Sequence, residues 1–180
     1  MGFVSILSQK SDKIVIFPRN KPFGTLFVID KSEYNYLKER RITMNFNNFT
    51  IKAQEAVQEA VNLTQAHNGQ VIEPIHLLQA VMKVGENVTK FIFQKLGVNG
   101  QQIANVVARQ IESLPKVSGG NPYLSRESND VLQKAVQYSK EMGDEFVSIE
   151  PIILALLVVK STASSILKDA GVSEKELREA

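Results

Sequence analysis

The sequence predicts an all-α fold of two pseudo-twofold-related four-helix repeats, preceded by a short extension with the texture of a β-hairpin. Three observations carry that prediction: a helical period of apolar residues beginning after Phe49, a second run of the same pattern displaced by 75 residues, and a stretch dense in turn formers between them. The expected layout is an unassigned extension at 1–43 and a helical domain at 44–180. The domain divides into repeat one at 49–112, a linker at 113–124 and repeat two at 125–180.

Residues 1–43 have short β-prone runs at Phe3 to Leu7, Ile14 to Phe17 and Thr25 to Ile29, separated by Pro18, Pro22 and Gly24. A short charged helix is expected over Ser32 to Arg41. Met44 then opens the alanine-rich texture of the helical body and is read as the expected true start. Because that body is complete without them, residues 1–43 are expected to be dispensable for its fold.

In the body, Thr50 is placed to cap a first helix whose Ala53, Ala56, Val57, Ala60 and Leu63 form one apolar stripe. After Gly69 and the extended Val71-Ile72, Glu73-Pro74 opens a second helix, with proline in the first turn where a missing N–H costs little. A third helix is predicted over Val88 to Leu96, ending at Gly97, and a fourth over Gln101 to Ser113. The run from Leu114 to Tyr123 reads as a linker.

Then the pattern returns. At an offset of 75, Thr50 falls on Ser125, Ala60 on Ala135, Val71-Ile72 on Phe146-Val147 and Leu77 on Ile152. One deletion later the offset is 74, and Gly97-Val98 falls on Gly171-Val172. Four helices alone bury too little for a stable core, so the copies are expected to pack on each other and leave a groove where they meet.

Composition excludes several classes. The chain has no cysteine, so disulfides, thiolate zinc sites and a cysteine nucleophile are ruled out. No apolar run reaches the ~20 residues of a bilayer span, and the N-terminus lacks a basic leader, so no membrane partner is expected and the location expected is cytoplasmic. The net charge of +2 hides an asymmetry: residues 1–43 hold eight Lys/Arg against four Asp/Glu, leaving thirteen against fifteen in 44–180. An acidic body without a basic cluster argues against nucleic acid.

Catalytic chemistry is mostly missing. No G-x-x-x-x-G-K-[ST] stretch occurs, so the chain is expected neither to bind nor to hydrolyse ATP, and no cofactor is expected. His67 and His76 have no metal-ligand spacing around them and are read as helix-end and packing residues. Ser125, Ser128 and Ser139 lack a nucleophile elbow and read as caps or helix-face residues. Asp144 and Glu150 flank Phe146-Val147, a spacing that paired acids could use, although a solvated turn and a helix first turn explain it as well.

Phe49-Thr-x-x-Ala-Gln54, Ile72-Glu-Pro-Ile-His-Leu-Leu78, Leu96-Gly-Val98, Gly143-Asp-Glu-Phe-Val-Ser148 and Ala170-Gly-Val172 together resemble the Clp N-terminal repeat domain. That domain stands at the front of ring-forming AAA+ unfoldases, and the resemblance covers about Phe46 to Ala180. Val71 to His76, Leu114 to Val117 and Gly143 to Phe146 look more like the ClpB disaggregase branch than the protease-partnered ClpA and ClpC. The resemblance implies a non-enzymatic module that captures unfolded or aggregated polypeptides for ATPase modules of a longer, hexameric parent chain. It places substrate engagement on Thr50, Asp144 and Glu150; apart from the resemblance, apolar Phe146, Val147, Val71 and Ile72 are expected to line the groove between the copies. Nothing like the ATPase modules is in the sequence, and residues 1–43 have no counterpart. Three other readings stand beside it: an N-domain of ClpA or ClpC type that docks adaptor proteins, a helical DNA-binding module and a small hydrolase. Against the DNA-binding module, its best recognition helix, Gln101 to Ser113, carries only Arg109.

Overall fold

The computed structural model describes residues 4–7, 13–17, 27–30, 46–117 and 122–179. Two compact units are present, Met1–Met44 and Asn45–Ala180. In the first, β1 (Val4–Leu7), β2 (Lys13–Phe17) and β3 (Phe27–Asp30) form an antiparallel meander, with Val4 opposite Phe17 and Ile14 opposite Ile29. The expected hairpin is thus a three-stranded sheet, because the third β-prone run pairs as well. The helix expected over 32–41 lies outside the described residues.

The second unit is helical. Its elements are α1 (Ile51–Ala66), β4 (Val71–Ile72), α2 (Pro74–Val84), α3 (Glu86–Lys95), α4 (Gly100–Glu112), β5 (Tyr123–Leu124), α5 (Arg126–Met142), α6 (Ile149–Val158), α7 (Thr162–Asp169) and α8 (Glu174–Glu179). The third helix begins two residues before the expected Val88, because Gly85 ends α2 and Glu86 supplies a favourable negative charge at the next N-terminus.

Element order in 46–112 recurs in 122–179, and so do the hydrogen bonds that set it. Thr50 Oγ1 accepts the Ala53 N–H at 3.2 Å, while Ser125 Oγ accepts the Ser128 N–H at 3.0 Å. The Val98 N–H reaches the Phe93 carbonyl at 2.8 Å and the Val172 N–H the Leu167 carbonyl at 3.0 Å, each around a glycine in the left-handed region, Gly97 at φ 67° and Gly171 at φ 91°.

The halves also exchange strands reciprocally. Thr50 N–H donates to the Val147 carbonyl at 2.9 Å, and Ser125 N–H to the Ile72 carbonyl at 3.0 Å. Phe49 bridges Val147 in parallel just as Leu124 pairs with Ile72. The segment entering the first helix of each half is therefore held by the segment leaving the first helix of the other. Neither half has its backbone satisfied without its counterpart.

At the centre lie the corresponding helices α2 and α6, which pack against each other and against the surrounding helices. Every residue from Pro151 to Leu157 is buried, as expected of a helix apolar on all sides. Among the described residues no single helix is long and apolar enough to cross a membrane.

His76 shows how a polar residue is accommodated in this core. It is 3% exposed, and its Nδ1 accepts the Glu73 backbone N–H at 3.0 Å, so that nitrogen carries no proton. Burial first, and the nearby His67 second, lower its pKa from 6.5 to about 4. Between those values the unfolded chain binds the proton and the folded one does not. The stabilising contribution is therefore complete above pH 6.5 and is lost as pH falls toward 4. The stability of the protein relative to His76→Gln should decline across that window at up to about 1.4 kcal/mol per pH unit, measured by urea unfolding at pH 7, 6 and 5. Parallel curves for the two proteins would remove His76 as the cause.

Candidate functional site

Three chain segments meet at the N-terminal ends of α1, α3 and α6. Thr50, Ile51 and Lys52 come from the start of α1, Val84 to Val88 from the α2–α3 turn, and Ser148 to Glu150 from the start of α6; together they bound an open cavity of about 660 Å³. A second cavity of about 460 Å³ adjoins it, walled by Phe91 and Ile92 of α3, Met142 of α5, Leu154 of α6, and Leu177 and Arg178 of α8. Asn87, Val88 and Glu150 belong to both, so the two form one trough.

Close backbone approach creates this geometry. A Cβ built on Gly85 would sit 2.9 Å from Ile149 Cγ2 and 2.9 Å from the Val81 carbonyl oxygen, so only glycine lets the α2–α3 turn lie against the start of α6. Arg178 holds the far wall: it pairs with Glu174 at 3.1 Å and Glu141 at 3.7 Å, and its guanidinium lies 4.7 Å from the centre of the Tyr138 ring.

The floor and rim are apolar to an unusual degree for a surface. Ile51 is 75% exposed, Phe91 60% and Met142 44%, and all three border the trough. Most charges around it are already paired: Lys52 with Glu55 at 2.9 Å, Lys83 with Glu59 at 2.7 Å, and Arg178 as above. Glu150, in the first turn of α6, accepts the Ser148 hydroxyl at 2.5 Å, and Glu86 stands in the first turn of α3. Two carboxylates thus remain at helix N-termini beside an apolar surface.

The structure brings Thr50 and Glu150 into one cavity and leaves Asp144 outside both, exposed in the loop after α5. Phe146 is exposed in that same loop. Val147 and Ile72 are 1% and 3% exposed and lie on the two strand exchanges, so they serve the core rather than a groove wall; Val71, on the second exchange, borders neither trough cavity. The reason is the exchange itself, which turns those side chains inward.

Sequence reasoning missed Ile51, Phe91 and Met142. The available signal was phase: Ile51 falls outside the stripe of Ala53, Ala56 and Ala60, and Phe91 outside that of Thr89, Ile92 and Phe93. An apolar residue on the wrong face of a helix marks a surface patch. Among the described residues no group of three or more His, Asp or Glu is placed to hold a metal ion.

Thr50 has a structural duty independent of any ligand. Thr50→Ala is expected to cost about 1 kcal/mol in urea unfolding by removing the acceptor of the Ala53 N–H, and Thr50→Ser to cost little. Equal losses in both variants would show that the methyl group, not the hydroxyl, matters.

Comparison with known proteins places these features. The Clp repeat (R) N-terminal domain family matches residues 48–179. Over 137 residues, 76% of this chain, the sequence is 79% identical to the chaperone protein ClpB of Bacteroides thetaiotaomicron and 54% identical to that of Porphyromonas gingivalis. The matched region spans 16% of the length of each of those proteins. Among solved structures, the Hsp104 N-terminal domain of Candida albicans superposes with a TM-score of 0.66 at 22% identity, covering 74% of this chain and 88% of that one. A ClpV N-domain in complex with a VipB peptide superposes at 0.59 and 16% identity, covering 74% and 84%.

Proposed function

Because the chain belongs to the Clp repeat N-terminal domain family, we propose that it is the substrate-engaging module of a ClpB-type disaggregating chaperone. Its role is to bind exposed apolar stretches of unfolded or aggregated polypeptides along the trough. The observation that carries this reading is the convergence of Ile51, Phe91 and Met142 on one concave surface.

An apolar client segment gains affinity by covering those side chains, at roughly 25 cal/mol per Å² removed from water. Glu86 and Glu150 contribute orientation and partner choice more than affinity. Such recognition reads hydrophobicity rather than a sequence, which suits clients that share little except being unfolded. ATP use, threading and a hexameric ring belong to further modules of a longer cytoplasmic parent chain.

The test is binding of a reduced, carboxymethylated unfolded protein, followed by fluorescence anisotropy beside thermal melting. Glu150→Ala is expected to weaken binding several-fold with the melting temperature unchanged, and Asp144→Ala to weaken it less, since Glu150 borders both cavities and Asp144 neither. No binding of unfolded protein, with tight binding of a folded adaptor instead, would move the reading to the ClpA/ClpC type.

A further inference from the structure

We infer that Met142 is an oxidation site through which hydroperoxides weaken the capture of polypeptides. The inference rests on the trough being the binding surface and concerns its regulation.

With no cysteine in the chain, methionine supplies all of its sulfur, at four positions. The structure describes two of them. Met82 is half-buried and borders a third cavity, lined by α2, α3 and α4, that touches the trough only at Lys83 and Glu86 and includes none of Ile51, Phe91 or Met142. Met142 is 44% exposed and forms the trough wall beside Phe91, Leu154 and Leu177. It is the last residue of α5, followed by Gly143 in the left-handed conformation, so it stands at the very end of its helix. The feature is confined to one half: at the offset of 75, the position matching Met142 holds His67, whose Nδ1 donates to the Leu63 carbonyl at 2.8 Å.

The chemistry is a two-electron oxygen transfer. The thioether sulfur attacks the hydroxyl oxygen of the hydroperoxide, the S–O bond forms as the O–O bond breaks, the oxygen now on sulfur gives up its proton, and the departing oxygen takes one up and leaves as water or an alcohol. Sulfur is oxidised and the peroxide reduced. The product is a polar sulfoxide where an apolar client side chain must pack. Arg178, the cation lining the same cavity, is paired with Glu141 and Glu174. A client covering the new S=O strips it of water, and an apolar client side chain offers no donor in return.

The protein is treated with hydrogen peroxide, mapped by peptide mass spectrometry, and titrated against the carboxymethylated unfolded protein before and after. Met142 should be converted well before Met82, and affinity should fall about tenfold in step with that conversion. Methionine sulfoxide reductase should restore both. Met142→Leu, whatever its starting affinity, should bind equally before and after peroxide, whereas Met82→Leu should lose affinity as the parent does. Conversion of Met142 with unchanged affinity overturns the proposal, as does equal peroxide sensitivity of Met142→Leu. Absence of binding before any treatment overturns the reading of the trough along with it.

Discussion

Leu156→Ala is expected to remove about 2–5 kcal/mol from the stability of the helical unit, the largest effect of any single substitution considered. Leu156 is 0% exposed on α6, whose neighbours are α1, α2, α5, α7 and α8, and the buried run from Pro151 to Leu157 leaves no solvent face through which the site could collapse. A helix enclosed on every side cannot shift toward one neighbour without opening a gap at another, so the cavity persists and its lining loses contacts. Against a total stability of ~5–15 kcal/mol for an ordinary domain, that loss is a large fraction. Leu156→Met, which nearly conserves volume, should cost less than about 1.5 kcal/mol. Urea unfolding of the two variants decides the matter. A Leu156→Ala loss below about 1 kcal/mol would mean that α6 is less enclosed than described.

Phe91→Ser combined with Ile51→Ser is expected to weaken binding of an unfolded polypeptide by more than tenfold while changing stability by less than about 0.5 kcal/mol. Both side chains are mostly exposed, so the fold does not depend on burying them. For a bound client the situation is reversed: aromatic and branched side chains at the centre of a concave surface are where binding energy concentrates. Stability and affinity therefore respond oppositely in this variant and in Leu156→Ala. Anisotropy and thermal melting on the same preparations separate the two roles. Unchanged affinity in the folded double variant would remove the trough as the client surface.

The contrast between these residues also marks what was legible in the sequence. Thr50, Ser125, Gly97 and Gly171 each act within four residues of themselves, as caps or helix stops, and local patterns of that kind can be read directly. The same holds for His76, whose partner Glu73 is three residues away. The recurrence of these signals at an offset of 75 and then 74 suggested two repeats, and the resemblance of the motifs around them identified the family.

Val147 and Ile72 show where local reading failed. Their apolar character suggested a groove, but β-strands formed across more than fifty residues of sequence turned them into the core. The trough was beyond reach for the same reason. Its walls come from α1, α3, α5, α6 and α8, and nothing near Phe91 in sequence announces that Met142 and Leu177 will stand beside it. By itself the sequence determined the helices, their caps and the family, because those depend on periodicity and on hydrogen bonds closed within a turn. Which apolar residues are buried, and which converge on an exposed surface, was decided only when α2 and α6 packed together and the halves exchanged strands. Those contacts join residues far apart in the chain, so no short window of sequence encodes them.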